Sequence, residues 1–464
     1  MVLSKFLSPR SRTGELIGSP SLLSIKRNIE DKNIARKHTY SKLRLLILNQ
    51  FFPPDFAATG QLIEELAKQL VLQNLDVEVF TGQPGYAFQT ESAPAKEKLN
   101  GVSIRRSRIS HIWFQRIRGK AASGIIFCMR SFLYLLKCAR KKDVLLVTTA
   151  PPFLPVIAYL IYCLVGLPYV CIIYDLYPDI ATELGVINSD HWIVNLWNRL
   201  NRAIWCNAAQ IVVLSDSMKK RVLENCPSLA PSRVSVIHSW ADPDHIKPYP
   251  KQENRFAQKY NLVESFTVLY SGNIGRCHDV DTIVEAMQYL KDEPIQFVFI
   301  GGGAKQPSLE EQVDQLGLSR KVKFLPYQEK HNLPHSLTAC DLSLVSVSED
   351  MGALVAPSKL YSALAAGRPI AAICSAQSYL NSLLIKMGCG ATFENGQGKK
   401  LADYILYLSR DRDFAEKLGS AGRDHMARHF TPQTIATQYA DVLRNAVCYG
   451  APVTPSSTPF PEVD

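Results

Sequence analysis

The feature that most limits what this chain can fold into is a repeated alternation of short, continuously apolar runs with helix-length segments. Leu43–Leu48 is the first run, followed by a turn-rich loop and a helical stretch over Leu62–Leu72. Val77–Phe80, Val144–Thr148, Tyr169–Tyr174, Ile211–Leu214 and Val234–Ile237 read as further strands. Strands that are apolar at every position, not every second one, belong to parallel sheets covered on both faces. Parallel neighbours need a crossover, and the helix-length segments supply it, so the pattern predicts a doubly wound α/β fold.

The alternation pauses at Asp242–Lys251, where three prolines in ten residues read as a linker. It then restarts through Thr267–Tyr270, Gln296–Ile300, Val322–Leu325, Leu342–Val347 and Pro369–Cys374. Two such blocks predict two facing Rossmann-like domains. Ligands of open parallel sheets bind at the carboxyl ends of the strands, so the cleft between the domains is the expected site. The expected boundaries are a flexible tail over 1–41, a first domain over 42–242, a linker over 243–251 and a second domain over 252–430. A terminal helix over 431–448 and a Pro/Ser/Thr-rich disordered tail over 449–464 complete the reading.

Charge is concentrated in one place. The chain carries a net charge of +10, and residues 99–142 hold eleven Lys or Arg and no Asp or Glu. A local basic stretch points to an anionic partner there. Within it, Arg116–Lys142 mixes cations with Trp113, Phe114, Ile125, Ile126, Phe127, Phe132, Leu133 and Tyr134, a composition that can lie in a membrane interface. Val144–Tyr174 is uncharged and long enough to cross a bilayer. Pro151, Pro152, Pro155, Gly166 and Pro168 divide it into strand, helix and strand, so a peripheral attachment is expected, not a span. The eleven cysteines form neither a zinc pattern nor a secreted disulfide framework, and residues 1–40 show no apolar leader core. Reduced thiols in a cytoplasmic protein are expected.

Four segments can carry chemistry. In Tyr270–Asp279, a strand ends, Gly272 and Gly275 allow close backbone approach, and a helix opens near Asp279, offering free N–H groups to an anion. Arg276 adds a forked donor suited to phosphate, beside Asn273 and His278. A plain turn with Asp279 as helix cap is the alternative. In Ala356–Pro369, a short helix is expected to open at Pro357 with Ser358 and Lys359 in its first turn; a cation there opposes the helix dipole unless an anion is near. Phe51–Gly60 follows the first strand and leads to the first helix. Tyr174–Asp179 closes a strand with carboxylates; Asp175 could bind a sugar hydroxyl or accept its proton, while Asp179 is expected to cap a helix. Gly301–Gly303 ends another strand, where a tight turn explains the glycines as well as ligand approach does. No metal constellation is apparent, and no cofactor is expected.

Together these pieces resemble glycosyltransferase family 4, whose members have the two-domain GT-B fold. Similar are bacterial enzymes of exopolysaccharide and O-antigen assembly. The shared motifs are Asn49–Asp55 with Thr59-Gly60, Asp175–Asp179 with Leu184-Gly185, Tyr270–Asp279, Leu325–Tyr327, and Pro357–Tyr361 with Leu364–Pro369. The resemblance covers Leu43 to Ala446 and implies a metal-independent retaining transferase using a nucleotide-diphosphate sugar. It implies a diphosphate clamp of an Arg, matched by Arg276, and a Lys a few residues later, where this chain instead has Asp279–Thr282. Lys359 or His278 is then the second positive group. Two glutamates usual around the short helix fall on Leu354 and Ser362, so sugar contacts shift to backbone amides of Met351–Leu354, including Gly352 and Ala353. The usual His-Asp pair appears as Tyr174-Asp175. Gly60, Gly302 and Tyr327 complete the implied donor site.

The implied acceptor is a lipid-linked or saccharide intermediate of cell-surface polysaccharide synthesis, met at the inner face of the plasma membrane with the basic stretch 105–142 toward the bilayer. Two rivals remain at this stage. A sugar-nucleotide epimerase can use the same fold and would turn over without an acceptor. A non-enzymatic phospholipid or nucleic-acid binder would use the basic stretch alone; no nucleic-acid reader motif is present, and nucleic acid is not expected as a partner.

Overall fold

A computed structural model describes residues 42–55, 57–84, 93–107 and 117–448. The two expected tails, Arg108, Trp113, Phe114 and Arg116 lie outside the described residues, and of Arg118 and Lys120 only the backbone is described.

The first half runs β1 (Arg44–Leu48), α1 (Ala58–Leu72), β2 (Asp76–Thr81), β3 (Lys96–Leu99), β4 (Val102–Arg106), α2 (Ile117–Cys138) and β5 (Val144–Thr148). It continues through α3 (Leu154–Val165), β6 (Tyr169–Ile173), α4 (Asp179–Glu183), α5 (Trp192–Asn207), β7 (Gln210–Val213), α6 (Asp216–Asn225) and β8 (Val234–Val236). Its sheet has the order β3-β4-β2-β1-β5-β6-β7-β8, parallel except for β3. The central strands β1, β5 and β6 are buried along almost their whole length, as continuous apolar runs require. The uncharged stretch 144–174 is β5, α3 and β6, and no described helix is long and apolar enough to cross a membrane.

The second half runs α7 (Arg255–Lys259), β9 (Phe266–Asn273), α8 (Asp281–Tyr289), β10 (Ile295–Gly302), α9 (Gln306–Gln315), β11 (Val322–Leu325), α10 (Leu333–Thr338) and β12 (Leu342–Ser346). It ends with α11 (Lys359–Ala365), β13 (Ile370–Ile373), α12 (Tyr379–Met387), β14 (Gly390–Phe393), α13 (Gly398–Arg410), α14 (Arg412–His429) and α15 (Pro432–Cys448). Its parallel sheet has the order β11-β10-β9-β12-β13-β14. Strand order reverses between β1 and β5 in the first sheet and between β9 and β12 in the second. The loops after these strands open the crevices where such folds take ligands.

Right-handed crossovers place α1 on one face of the first sheet and α3 on the other. Helices α2, α3 and α5 pack side by side on the α3 face. Helix α15 leaves the second half and returns to pack on α1, β5 and β6 of the first. Its Tyr439 ring lies edge-on to Trp240, 6.3 Å between centroids, and the Trp240 indole donates to Glu65 of α1 at 2.8 Å.

The basic stretch is partly used up by the fold. Residues 102–106 form β4, which the sequence reading missed, and Arg105 and Arg106 are paired with Glu78 and Glu97. Arg106 has only 1% of its side chain exposed and also donates to the carbonyls of Pro94 (3.0 Å) and Pro53 (2.7 Å). Arg106 is therefore a buried sheet residue and not part of a surface patch, whereas Arg105 stays 45% exposed beside Glu78. Asp179 likewise differs from expectation: its carboxylate accepts from Arg221 (3.3 Å) and Asn225 (2.8 Å), tying α4 to α6 and not capping a helix.

The proline-rich linker is held at both ends. Arg423 of α14 donates to the carbonyls of Ile246 (2.7 Å), Pro243 (2.9 Å) and Ala365. At its far end, Lys251 is buried and donates to Ser265 O (2.6 Å), Thr267 Oγ1 (3.0 Å) and the Asp341 carboxylate, which also accepts from Thr267 N at 2.7 Å. Removing one partner of a buried pair strands the other charge. Asp341→Ala is expected to lower unfolding free energy by about 3 kcal/mol, measured by denaturant titration. An unchanged midpoint would show that the pair does not hold the linker.

Candidate functional site

The loop after β9 is shaped by backbone packing. Gly272 pairs with Gly301 across β9 and β10, and both have positive φ, 129° and 139°. A Cβ at Gly301 would lie 2.1 Å from Gly272 O, so only glycine fits. Ile274 N donates to Gly302 O at 2.7 Å, and Lys305 N donates to Ile274 O at 3.0 Å. Lys305 Nζ donates to His278 O at 2.7 Å. The Gly301–Lys305 segment thus grips the loop from one side. Gly302 sits under Tyr327, whose hydroxyl reaches Gly302 O at 3.4 Å. The glycines of this segment are explained by that packing alone.

Asp279 takes the capping role: its Oδ1 accepts from Thr282 N at 3.0 Å, and Oδ2 accepts from Thr282 Oγ1 (2.6 Å) and Asn395 Nδ2 (2.7 Å). It is saturated, so it offers nothing to a ligand. His278 is half-buried, and its Nδ1 accepts from Gly275 N at 3.0 Å. Burial, with Lys359 nearby, holds its pKa at about 3. The histidine is therefore a neutral brace for the Gly275 turn and does not supply the second positive charge.

Lys359 packs against the same turn. It is the first residue of α11, which opens two positions later than Pro357, with Ser358 as the flanking residue and Leu360 N donating to Pro357 O at 3.3 Å. Lys359 reaches back to β9. Its Nζ lies 3.8 Å from the centroid of the Tyr270 ring, donates to the Tyr270 hydroxyl, and donates to Asn273 O at 3.2 Å. Burial pushes its pKa well below the usual lysine value. Arg276 is exposed and has no ion-pair partner among the described residues. Lys359, Tyr270, Gly272, Asn273, Gly275 and His278 thus form one cluster, with Arg276 on its loop. Lys305 and the Tyr270 ring are the parts that sequence reading overlooked; the only signal for Lys305 was its place just after the Gly301–Gly303 run.

The segment before α11 closes the site toward the first half. Ser348 N donates to Cys277 O at 2.9 Å, joining it to the β9 loop. Leu176 N donates to Leu354 O at 3.2 Å, and Asp175 forms an antiparallel bridge with Val355. The side chain of Leu354 is buried, and Ser362 Oγ donates to Lys359 O at 3.0 Å within its own helix. Neither position presents a group to the cleft. The amides of Met351 and Leu354 are spent on turn bonds to Ser348 O and Met351 O, both 3.0 Å. The expected run of sugar-binding amides therefore narrows to Gly352 and Ala353.

Asp175 leaves β6 with its amide and that of Tyr174 donating to Thr149 Oγ1 at 3.4 and 3.1 Å. Burial pushes its carboxyl up to about 6. It borders a small pocket with Thr149, Pro152, Tyr177, Asn201 and Trp205, and its charge raises the Cys277 thiol across the cleft, after the larger effect of burial. Asp175 thus lies at the end of β6 among first-half residues, joined to the second half through its main-chain bridge with Val355. Gly60 is placed differently: it lies in the first turn of α1, where a Cβ would come 3.0 Å from the Phe51 carbonyl carbon. The atoms nearest to it belong to Phe51 and Phe52 of its own loop.

Comparison with known proteins agrees with this layout. Residues 59–245 match Glycosyltransferase Family 4, and residues 251–425 match Glycosyl transferases group 1. The chain is 29% identical over 272 residues to a probable glycosyltransferase WbjE of Pseudomonas aeruginosa, covering 58% of this chain and 67% of that protein. It is 25% identical over 347 residues to the putative colanic acid biosynthesis glycosyl transferase WcaI of Escherichia coli, covering 73% and 84%. The structure of Anabaena HepE in complex with UDP and glucose superposes with a TM-score of 0.64 at 17% identity, over 87% of this chain and 99% of that one. The two family matches lie in tandem on the two halves of the fold, and the chain is a member of glycosyltransferase family 4, a GT-B glycosyltransferase related to enzymes of bacterial polysaccharide biosynthesis.

Proposed function

We propose that the chain transfers a sugar, with retention, from a nucleoside-diphosphate sugar to a lipid-linked or saccharide acceptor of cell-surface polysaccharide synthesis, at the inner face of the plasma membrane. The observation that carries the donor assignment is the cation cluster at the β9/β12 switch point: Lys359 desolvated on Tyr270, and Arg276 without a partner on the adjoining loop. A lysine held there by a ring face, a hydroxyl and a carbonyl, with no carboxylate bonded to it among the described residues, suits an anionic ligand. The UDP and glucose in the HepE complex support the same ligand class.

Departure of the diphosphate builds negative charge on its oxygens. Arg276 and Lys359 hold that charge, and the open turn at Gly272 and Gly275 lets backbone approach it. Each charge-assisted hydrogen bond contributes ~1.5–3 kcal/mol. The sugar is held by the Gly352 and Ala353 amides, with Tyr327 beside Gly302 at the nucleotide end. Asp175, at the end of β6, orients the reacting hydroxyls through its ionised form.

Arg276→Ala and Lys359→Met should each weaken nucleoside-diphosphate binding by about tenfold or more, seen as a smaller thermal shift in a screen of UDP-, GDP-, ADP- and dTDP-sugars. A donor that stabilises both variants as well as the native chain refutes the clamp. Protonation gives a second test. Burial lowers the pKa of Lys359 in the free protein, and a bound diphosphate raises it, so binding takes up a proton and affinity rises as pH falls between the two values. Calorimetry in buffers of different ionisation heat should show this uptake, and Lys359→Met should abolish it. Asp175→Asn should reduce the transfer rate by about 100-fold with donor binding retained. The native rate should rise through a pH near about 6 as the carboxyl ionises, and the variant should lose that limb. A rate that ignores this substitution removes Asp175 from the reaction.

A further inference from the structure

We propose that Cys206 and Cys226 are a reversible oxidation site, at which a hydroperoxide converts two thiols into a disulfide that locks the loop carrying Asp175. The bond and its hold on the loop stand apart from the proposed reaction; only the effect on rate rests on the role given to Asp175.

The fold brings the two cysteines together. Cys206 lies in the last turn of α5, and Cys226 directly follows α6, where its amide donates to Val222 O at 3.0 Å. Their sulfurs are 3.4 Å apart, within reach of a thiol hydrogen bond. The Ser228 hydroxyl lies 3.4 Å from the Cys206 sulfur and 3.7 Å from the Cys226 sulfur. Both helix ends are pinned. Arg233 donates from Nη1 to Cys206 O at 3.0 Å and from Nη2 to Ala208 O, and Leu229 N donates to Cys226 O at 3.0 Å. A disulfide needs sulfurs at about 2.05 Å, so closure draws the two helix ends together by roughly 1 Å.

The two thiols differ in the way stepwise oxidation needs. Cys206 is partly exposed and can meet an oxidant, whereas Cys226 is fully buried. Burial raises the Cys226 thiol above its usual range, so it stays protonated near neutral pH and is a poor first target. A hydroperoxide, ROOH, transfers its terminal oxygen to the Cys206 sulfur, leaving a sulfenic acid and the alcohol ROH. The Cys226 sulfur then attacks the sulfenic sulfur. The S–O bond breaks, the hydroxyl leaves with the thiol proton as water, and the S–S bond forms. Both thiols are oxidised and the peroxide O–O bond is reduced. A small thiol reverses the step by exchange.

Position gives the bond its consequence, because the residue before each cysteine touches the Asp175 loop. Trp205 lines the pocket beside Asp175, and Asn225 Nδ2 donates to the Asp179 carboxylate at 2.8 Å. One turn further back on each helix, Asn201 Nδ2 donates to Tyr177 O at 2.6 Å, and Arg221 Nε donates to Asp179 at 3.3 Å. The segment Asp175–Asp179 is thus held by α5 through Tyr177 and by α6 through Asp179, and the two sulfurs sit where these braces meet. A covalent link between the braces restricts local opening of the loop. A shift of roughly 1 Å at Trp205 also moves the wall of the Asp175 pocket, and misplacement on that scale slows a reaction.

The test compares the full chain reduced, treated with hydrogen peroxide, and then treated with dithiothreitol. After oxidation and alkylation of the remaining thiols, peptide mass mapping should recover Cys206 joined to Cys226, and dithiothreitol should separate them. Hydrogen exchange across residues 175–179 should slow by about tenfold or more in the oxidised chain. The transfer rate should fall by about tenfold, with the donor thermal shift unchanged. Cys206→Ser, and separately Cys226→Ala, should abolish all of these changes. Cys163→Ser, at an exposed thiol on α3, should leave them intact. Equal unfolding midpoints of the reduced variants and the reduced native chain show that the variants fold. A peroxide-treated chain in which Cys206 ends as a sulfinic acid or joins another cysteine, with no link to Cys226, overturns the proposal. So does a Cys206–Cys226 bond that leaves exchange across 175–179 unchanged. A chain that transfers no sugar from any donor, yet forms the bond and shows the slowed exchange, leaves the oxidation site standing and refutes the proposed function.

Discussion

The cleft depends on a short backbone seam. Asp175 pairs with Val355, and Leu176 N bonds Leu354 O, so the end of β6 in the first sheet is joined directly to the segment that leads into α11 of the second. Everything that could act on a ligand is referred to that seam. On one side it fixes the direction of the Asp175 side chain; on the other it fixes the start of α11, from which Lys359 reaches Tyr270. Because the link is made by main-chain groups, it tolerates the loss of the acidic side chains usual in the family. Leu354 contributes its carbonyl to the seam and buries its side chain behind it.

The loss of those carboxylates changes the electrostatics of the site. Asp279 is engaged by Thr282 and Asn395, and Leu354 and Ser362 carry no charge, so none of these positions sets a free carboxylate beside Lys359. A glutamate near a diphosphate cradle would compete with the ligand for lysine and arginine. Arg276 has no ion-pair partner among the described residues, and on the proposed reading recognition of the sugar falls on the few amides not used in turns. Such amides fix the position of a hydroxyl but discriminate poorly between sugars, because they offer donors only.

Much of the fold was legible in the sequence because its central strands are buried on both faces. β1, β5 and β6 are apolar runs for that reason, and the loops after β9 and before α11 stood out by their glycines, proline and cations. Most misses come from pairing between distant residues; His278 is the exception, its partner Gly275 lying three residues back. Arg105 and Arg106 read as part of a basic patch because their partners, Glu78 and Glu97, lie on other strands. Asp179 read as a cap because Arg221 and Asn225 lie 42 and 46 residues further along the chain, in α6. His278 read as a possible cation because nothing local announces that Gly275 N will claim its Nδ1. Helix α15 was placed after the second domain, yet the apolar side that carries Tyr439 finds its cover on the first.

The burial of Lys359 also explains why a short helix suffices here. A solvated lysine must shed its water when it meets a phosphate, and that cost subtracts from the interaction. At Tyr270 the ammonium is partly shielded from water and is held by a ring face, a hydroxyl and one carbonyl, all uncharged. None of these competes with a diphosphate as a carboxylate would. The free protein is the less stable for it, since the charged form is disfavoured until an anion arrives. That instability becomes differential affinity: the ligand that restores the charge gains what folding gave up, and the gain grows with the charge that develops on the leaving group. A permanently charged arginine at position 359 could not work in this way, because it cannot become neutral in the free state. Lysine on a tyrosine face is thus tuned by its surroundings, and arginine on an open loop is constant.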